Sequence, residues 1–221
     1  MVETRRGLHT TPIQIGISGL EGILGLPVTP PLGLILFAHG SGSSRFSPRN
    51  NYVASALREA GLATLLFDLL SEAEERDRAN IFNIDLLADR LLTATAWAQE
   101  SEPTRALPLG FFGASTGAAA ALVAAARLGD RIGAVVSRGG RPDLAGGALP
   151  RVKAPTLLIV GSQDTEVLAL NRAALRALRC ESALEIVPGA THLFEEPGAL
   201  EAVVELARRW LLDHLPPRAR G

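Results

Sequence analysis

One serine in this sequence has the surroundings of a catalytic nucleophile. Ser115 is the centre of Gly-Ala-Ser-Thr-Gly at residues 113–117, with a short apolar run at 109–112 before it and an alanine- and leucine-rich run at 118–128 after it. These runs predict a strand and a helix, with the motif as the sharp turn between them. A serine between two glycines at such a turn is pushed out over the edge of the sheet, where its hydroxyl can attack a carbonyl group.

A serine nucleophile needs a base, and two histidines follow Ser115 in the chain. His214 lies at the end of the predicted last helix, where an imidazole favours the helix C-terminus rather than chemistry. His192 follows a predicted strand at 183–187 and precedes a helix predicted to begin near Pro197. Because open α/β sheets place their chemistry beyond the carboxyl ends of strands, His192 is the predicted base.

The base needs an acid to orient it, and the strongest candidate is Asp164. It comes directly after the buried-strand pattern at 156–161. Glu195 and Glu196 are rivals because they are close to His192 in sequence, but such near neighbours rarely have the geometry to reach back to the ring. The alternative role for Asp164 is to cap the N-terminus of the following helix, where aspartate is favoured.

The fourth predicted part of the site is an oxyanion hole. The strand-like run at 34–38 leads into a glycine- and serine-rich loop. One backbone N–H is expected from Thr116, which follows the nucleophile, and the second from Ser41, with Gly42 as the alternative. His39 precedes the serine in the chain, the wrong order for a base, so we expect it to shape this loop.

Three residues are candidates for contacts with a substrate. Arg138 follows a predicted buried strand at the active edge of the sheet, where a guanidinium could hold a carboxylate in a bidentate pair. The alternative is an ion pair with an internal acid such as Asp164, Asp68 or a loop glutamate, and the sequence leaves both open. Gly42 and Arg45, in and beside the proposed oxyanion loop, are the other two candidates.

The elements that must position these residues alternate between apolar strands and helices, a pattern that predicts an α/β fold with a mostly parallel sheet and helices on both faces. The opening residues 13–27 instead predict an antiparallel hairpin at the sheet edge. The charged run at 71–79 is expected to be a solvated loop, and no insertion is long enough for a cap domain. Further strands are predicted at 33–38, 63–67 and 132–137, and helices near 48–60, 81–99 and 167–178. We expect one domain over residues 1–221, with a frayed tail at 216–221.

Composition limits the function. The chain has 221 residues, is 47% hydrophobic and carries a formal net charge of −1, so nothing indicates a partner among nucleic acids or anionic membranes. Its one cysteine, Cys180, excludes an internal disulfide, and the first eleven residues lack the apolar core of a signal peptide, so a cytoplasmic protein is expected. The four histidines are scattered without metal-ligand spacing, and we expect no metal or other cofactor. A monomer and a homodimer are both compatible with the sequence.

These motifs resemble those of the α/β-hydrolase superfamily, and within it the dienelactone-hydrolase-like group of compact hydrolases without a lid. The matching segments are at 37–42, 113–117, 160–164 and 189–194. The resemblance implies an α/β-hydrolase fold and hydrolysis of a small ester, lactone or thioester through an acyl-enzyme on Ser115, with Asp164 and His192 completing the triad. One position departs from the family, because dienelactone hydrolases carry a cysteine where this chain has Ser115.

Two other functions stay open at this stage. A ligand-binding or regulatory module could keep the fold and lose turnover, since fold alone does not fix function. The same triad could also transfer an acyl group to an alcohol instead of to water.

Overall fold

A computed structural model describes residues 9–16 and 19–215 of the chain. Its centre is an eight-stranded sheet in the order β1-β2-β4-β3-β5-β6-β7-β8. The strands are β1 (His9–Ile15), β2 (Leu20–Leu26), β3 (Leu34–Ala38), β4 (Ala63–Phe67), β5 (Leu109–Ala114), β6 (Ile132–Arg138), β7 (Thr156–Gly161) and β8 (Ser182–Val187).

The central strands are parallel and fully covered. β3, β4, β5 and β7 consist entirely of buried residues, as expected for strands with helices on both sides. β5 pairs in parallel with β3 on one side and with β6 on the other. The carboxyl ends of these strands therefore lie at one edge of the sheet, around the end of β5.

The predicted antiparallel hairpin is present at the edge of the sheet. β1 pairs with β2 in antiparallel register from His9 opposite Leu26 to Ile15 opposite Leu20, and β2 pairs antiparallel with β4. Residues 17 and 18, between the two strands in the chain, lie outside the described residues. The hairpin thus extends a parallel sheet with two antiparallel strands, as the alternating pattern at 13–27 predicts.

Helices cover both faces of the sheet. The helices are α1 (Pro48–Glu59), α2 (Glu72–Glu75), α3 (Arg78–Ile81), α4 (Ile84–Glu100), α5 (Thr116–Leu128), α6 (Thr165–Ala177) and α7 (Ala199–His214). Apolar residues of α4 and α5 build the core on one face, and those of α1 and α7 build the core on the other. α5 is almost wholly buried, which explains its run of alanines, because small side chains allow close packing on the sheet.

Two segments differ from the sequence-based expectation. The charged run at 71–79 contains the one-turn helices α2 and α3, where a solvated loop is predicted. Ser71 and Glu74 form a reciprocal capping box at the start of α2, so local side-chain bonds form this turn without an apolar face. Between β6 and β7, the segment Pro142–Arg151 forms two short 3₁₀ helices, separated at Gly146 by non-helical dihedrals, that the sequence pattern does not predict. The predicted tail at 216–221 lies outside the described residues.

Within residues 9–16 and 19–215, no helix combines the length and the apolar character needed to cross a bilayer.

Candidate active site

Ser115 occupies a strained turn between β5 and α5. Its backbone dihedrals are φ 51° and ψ −123°, a region that residues with a side chain rarely adopt. Its N–H donates to the carbonyl oxygen of Arg138 on the neighbouring strand at 3.3 Å, and its own carbonyl accepts from Arg141 N–H at 3.1 Å. The half-buried serine is therefore held at the carboxyl edge of the sheet by backbone bonds on both sides.

The glycines of the motif are required by close contacts. A Cβ on Gly113 would lie 2.4 Å from Cα of Ala118, and one on Gly117 would lie 2.2 Å from the carbonyl oxygen of Ala38. Even Gly40, in the loop after β3, could not carry a side chain, because its Cβ would be 2.9 Å from Cβ of Ser115. The motif thus lets β3, β5 and α5 meet tightly around the serine.

The predicted acid and base are paired. Nδ1 of His192 lies 2.6 Å from Oδ2 of Asp164, within the range of a short, charge-assisted hydrogen bond. Asp164 is positioned at the N-terminus of α6, but its side chain makes no capping bond there. Asp164 thus occupies the N-cap position of α6, but its carboxylate bonds to His192 and not to the N–H groups of the helix.

The rival acids are engaged elsewhere. Oε1 of Glu195 accepts from Nη1 of Arg49 at 2.9 Å, and Oε1 of Glu196 accepts from the hydroxyl of Thr191 at 2.6 Å. Neither bonds to the His192 ring. The bond from Thr191 to Glu196 does, however, tie the two ends of the His192 loop together.

Ser115 and His192 both lie near the end of β6, at Arg138 and Gly139. Ser115 bonds to the carbonyl of Arg138, and the next residue, Gly139, packs against the histidine: a Cβ on Gly139 would be 3.6 Å from Cε1 of His192. Phe194 completes the loop, with φ 56° and a fully buried ring. The sequence does not predict this backbone conformation of Phe194, because phenylalanine rarely adopts a positive φ.

The proposed oxyanion loop is already hydrogen-bonded to the elbow helix. Ser41 N–H donates to Oγ1 of Thr116 at 3.0 Å. An oxyanion bound by Ser41 would therefore replace Oγ1 of Thr116 as the acceptor or share the Ser41 N–H with it. Gly42, the alternative donor, has φ 68° and open space where a side chain would stand.

The ring of His39 connects the proposed oxyanion loop to the segment after β4 through two hydrogen bonds. Leu69 N–H donates to Nε2 of His39 at 3.1 Å, so Nδ1 carries the proton and donates to the carbonyl of Gly40 at 3.0 Å. Burial lowers the pKa of His39, and the ring is neutral near pH 7. This geometry is that of a structural residue, the role expected from the sequence.

The two candidate arginines are placed very differently. Arg45 pairs with Asp68 and Glu21, and its backbone N–H donates to Oδ1 of Asp68 at 2.7 Å. Arg138 is 8% exposed, and its Nη1 is enclosed without a hydrogen-bond partner.

The expected ion-pair alternative for Arg138 does not hold. Arg138 forms no ion pair with any acid among residues 9–16 and 19–215, because Asp164 is bound to His192 and Asp68 to Arg45. Burial, and secondarily the positive charge of Arg49, lower the pKa of Arg138 to about 10. Arg138 therefore stays charged near pH 7 without a counter-ion in the described part of the chain.

A cavity of about 470 Å³ lies beside the oxyanion loop. Its walls include Arg45, Phe46, Leu70 and Ser71. A smaller hollow of about 20 Å³, lined by residues 39–42 and Thr116, shares Leu70 with it. The charged segment beyond β4 thus contributes a wall next to the site.

His214 and Cys180 lie outside this cluster. Nδ1 of His214 is 2.8 Å from the carbonyl of Trp210, at the end of α7. Burial raises the pKa of the Cys180 thiol, the opposite of what a nucleophilic cysteine needs.

The strand order, the antiparallel edge and the strained serine at the end of the central strand are those of the α/β hydrolases. The sequence profile of the Dienelactone hydrolase family matches residues 21–211, and the chain belongs to that family. A crystal structure of a dienelactone hydrolase from Anabaena variabilis superimposes with a TM-score of 0.90 at 54% identity, covering 95% of this chain and 98% of that one. Est1E from Butyrivibrio proteoclasticus shares the fold, with a TM-score of 0.78 at 18% identity over 91% of this chain and 98% of its own. The chain therefore belongs to the Dienelactone hydrolase family and has the α/β-hydrolase fold.

A longer relative carries a different name. A protein of Mycobacterium tuberculosis, provisionally named a phosphoribosyl transferase, is 60% identical over 210 residues. The match covers 94% of this chain but 47% of the relative, so the chain spans about half the length of that protein.

Proposed function

We propose that the protein is a serine hydrolase that cleaves a small ester, lactone or thioester through Ser115, His192 and Asp164. The observation that carries this proposal is the 2.6 Å pair between Nδ1 of His192 and Oδ2 of Asp164, beside a serine held in a strained turn. A histidine whose Nδ1–H is taken by a carboxylate presents Nε2 as the acceptor, which is the tautomer a general base needs.

In the first half of the proposed reaction, Ser115 attacks the substrate carbonyl. His192 takes the hydroxyl proton at Nε2 as the bond from Oγ to the carbonyl carbon forms, and Asp164 stabilises the resulting imidazolium. The N–H groups of Thr116 and Ser41 receive the negative oxygen, which replaces the Thr116 hydroxyl as the acceptor at Ser41. Each such donor contributes roughly 3–4 kcal/mol in other enzymes.

The intermediate then collapses and is hydrolysed. The bond to the leaving oxygen or sulfur breaks, and His192 gives its proton to that atom. Water, deprotonated by the same histidine, attacks the acyl group on Ser115 and releases the acid. The cycle consumes one water and needs no cofactor.

A serine in place of the family's cysteine supports this assignment. A cysteine nucleophile reacts as a thiolate, whereas a serine depends on a base that takes its proton in the transition state. The His192–Asp164 pair fits that requirement, and the expected acyl-enzyme is an oxygen ester.

The first test is chemical labelling of the nucleophile. A fluorophosphonate probe should modify Ser115 in the folded protein, as located by mass spectrometry of the peptide. Ser115→Ala should remain folded, resist the probe and lose roughly 10⁶-fold in turnover of p-nitrophenyl esters, as in a serine protease without its nucleophile. A folded wild-type protein that is inert to the probe would instead favour the binding-module alternative.

The name of the M. tuberculosis relative raises phosphoribosyl transfer as a second candidate. More than half of that relative lies outside the match, so its transferase activity can belong to the part that this chain does not share. We expect no release of pyrophosphate from phosphoribosyl pyrophosphate by this chain in the presence of nucleobases. Release that survives Ser115→Ala would show a second activity.

Transfer of the acyl group to an alcohol uses the same triad. Product analysis in water containing a primary alcohol would separate the two reactions, and we expect the free acid as the main product. An alkyl ester as the main product at low alcohol concentration would make the protein an acyl transferase.

A further inference from the structure

The two edges of the sheet differ in how they are protected against pairing with another strand. β1 and β8 are the edge strands, and each has one side without a neighbouring strand in the described part of the chain. β1 contains Pro12, whose nitrogen has no hydrogen to donate, and proline is a common means of blocking an exposed edge. β8 has the sequence Ser-Ala-Leu-Glu-Ile-Val, without a proline or a basic residue. β8 is therefore the edge that is open to a further strand.

The register between β7 and β8 shows which backbone groups of β8 are already bonded. Thr156 N–H donates to the carbonyl of Glu181 at 2.9 Å, and Ser162 N–H donates to the carbonyl of Val187 at 3.0 Å. In a parallel ladder, alternate residues of a strand direct both backbone groups to the same neighbour, so the odd-numbered residues from 181 to 187 bond to β7. The even-numbered residues of β8 consequently point their backbone groups away from the sheet.

The outward-facing residues of β8 are Ser182, Leu184 and Ile186. They present three N–H and three C=O groups, and none of these six groups bonds to another residue within 9–16 and 19–215. The run stops at Pro188, which has no N–H. The open edge is thus a short, defined row of donors and acceptors.

This row is complementary to itself. When a second β8 is placed antiparallel with Leu184 opposite Leu184, Ser182 of each copy lies opposite Ile186 of the other. Each of these three facing pairs exchanges two hydrogen bonds, so every outward group of both strands finds a partner. A shift of two residues toward the carboxyl end places Ser182 opposite Pro188 and loses a donor, so the donors and acceptors also specify the register.

The side chains of β8 fit the same pairing. Leu184 packs against the small cluster that includes Val167 and Leu168 of α6, and Ile186, two residues further on, lies on the same face of the sheet and is 39% exposed. In the antiparallel pair, Ile186 of one copy is next to Leu184 of the other, and the contact removes both from water.

The opposite face of β8 carries the one charge of the strand, Glu185. In this register Glu185 lies opposite Ala183 of the second copy, and the two Glu185 side chains are diagonal neighbours, with backbones about 7–8 Å apart. Like charges at that separation repel weakly and are screened by salt. The pairing is therefore expected to strengthen as the ionic strength rises.

We propose that β8 binds β8 of a second copy of this chain, which joins two eight-stranded sheets into one continuous sheet. The two-fold axis passes through Leu184 perpendicular to the sheet, so α6 lies beside α6 of the other copy. The carboxyl edges that carry Ser115 then face opposite ends of the dimer, and both sites stay open. The inference concerns assembly and is independent of the proposed hydrolase function.

Sedimentation velocity and amide hydrogen exchange test the pairing in the full chain. Sedimentation from low to high micromolar protein should show a reversible equilibrium between monomer and dimer. Over the same range, exchange at the amides of Ser182, Leu184 and Ile186 should slow, because only the dimer gives them acceptors. The amides of residues 183 and 185 bond to β7 in both states and should change little.

Variants at the edge change the dimer without removing a bond of the monomer. Ile186→Pro deletes an outward N–H, and Ile186→Lys places a cation on the edge; each should raise the dissociation constant of the dimer by about 10- to 100-fold. Glu185→Gln should lower that constant several-fold and reduce its dependence on salt. Gln14→Lys, an exposed residue of β1, is the matched control and should leave the constant at the wild-type value.

Cross-linking tests the register in a Cys180→Ser background. Ser182→Cys mixed with Ile186→Cys should form a disulfide-linked dimer on mild oxidation, because facing residues have Cα atoms about 5.5 Å apart. Each of these variants alone should stay unlinked, since its own position is four residues away along the paired strand.

Three results would overturn the proposal. The first is a wild-type chain that remains a monomer over the whole concentration range. The second is a dimer whose dissociation constant is unchanged by both Ile186 variants or is raised by Gln14→Lys, because the interface would then lie elsewhere. The third is cross-linking of Ser182→Cys alone with the same yield as the mixture, which would contradict the antiparallel register.

Discussion

Two arginines at or after the ends of strands of the central sheet, Arg45 and Arg138, differ in how the structure pairs their charges. Arg45 follows β3 and is bound by two carboxylates, Asp68 and Glu21. Arg138 ends β6, on the other side of β5, and has no carboxylate partner in the described residues. In the sequence both are cations that follow a buried strand at the active edge. The difference teaches that the function of such a residue depends on its partners, which lie far away along the chain.

The hydrogen-bond partners also differ between the two sides of the site, the side of Arg45 and the side of Arg138. On the side of Arg45, His39, Asp68 and Thr116 hold the oxyanion loop in place through bonds within the protein. On the side of Arg138, the protein leaves a charge unsatisfied. The first side is therefore held by bonds within the protein, whereas the second keeps a buried cation without a carboxylate partner in the described residues.

The largest effect should come from a change in the proposed triad of Ser115, His192 and Asp164, because turnover depends on it directly. Asp164→Asn should fold normally and lose turnover by roughly 10⁴-fold, since an amide favours the wrong histidine tautomer; this magnitude is the serine-protease precedent. Steady-state kinetics with a neutral p-nitrophenyl ester measures it.

Glu195→Gln is the matched control for this change. Glu195 is near His192 in sequence but bonds to Arg49, so its variant should keep turnover of the neutral ester near the wild-type rate. The opposite ranking of the two variants would mean that Glu195 is the acid.

The next largest effect is on stability, and it tests whether Arg45 has a structural role. Arg45→Gln should lower the free energy of unfolding by about 1–3 kcal/mol, because it leaves the mostly buried Asp68 carboxylate without its charged partner, with only the backbone N–H of residue 45 still donating to it. Urea unfolding followed by fluorescence measures this loss.

Arg208→Gln serves as the reference for an exposed pair. Arg208 binds Glu205 on the surface of α7, and losing such a pair costs about 0–1 kcal/mol. A loss for Arg45→Gln no larger than that for Arg208→Gln would contradict the structural role of Arg45.

The smallest expected effect is a pH dependence of the scaffold side. Burial lowers the pKa of His39 below 6.5, so the neutral ring contributes stability that is present above about pH 6.5 and is lost as pH falls through the lowered value. The wild-type protein should therefore lose part of its unfolding free energy between pH 7 and pH 5. His39→Gln, which keeps a donor and an acceptor, should show a smaller loss over the same interval.

His214→Gln is the control for this titration. His214 lies at the end of α7, away from the loop, so its replacement should leave the acid loss in place. An equal loss of stability in the His39→Gln and wild-type proteins would contradict the role of His39 as the titrating group.

Much of this arrangement follows from local sequence. The apolar runs at 34–38, 109–112 and 156–161 identify the buried strands, and the polar residues directly after them are the candidates for the site. The need for glycine at positions 113 and 117 also follows from the motif. The structure gives the steric reason, because a Cβ there would clash with Ala118 and Ala38.

Other features depend on distant parts of the chain. Arg138 could be paired or free, and only the positions of Asp164, Asp68 and the loop glutamates decide between the two. The positive φ of Phe194 is one that a bulky residue type does not predict, and its ring is fully buried. The one-turn helices at 72–75 and 78–81 arise from capping bonds in a charged segment, where the absence of an apolar period favours a loop prediction.

The bond from Ser41 N–H to the Thr116 hydroxyl has a consequence for discrimination between the bound ester and the transition state. In the proposed mechanism, a neutral ester carbonyl is a weak acceptor and gains little by displacing another neutral oxygen from that N–H. A fully developed oxyanion is a much stronger acceptor and displaces the hydroxyl readily. Breaking the internal bond costs the same whichever oxygen replaces the hydroxyl, so the ester carbonyl gains little at this N–H whereas the oxyanion still gains the difference, and binding of an unreacted substrate stays weak.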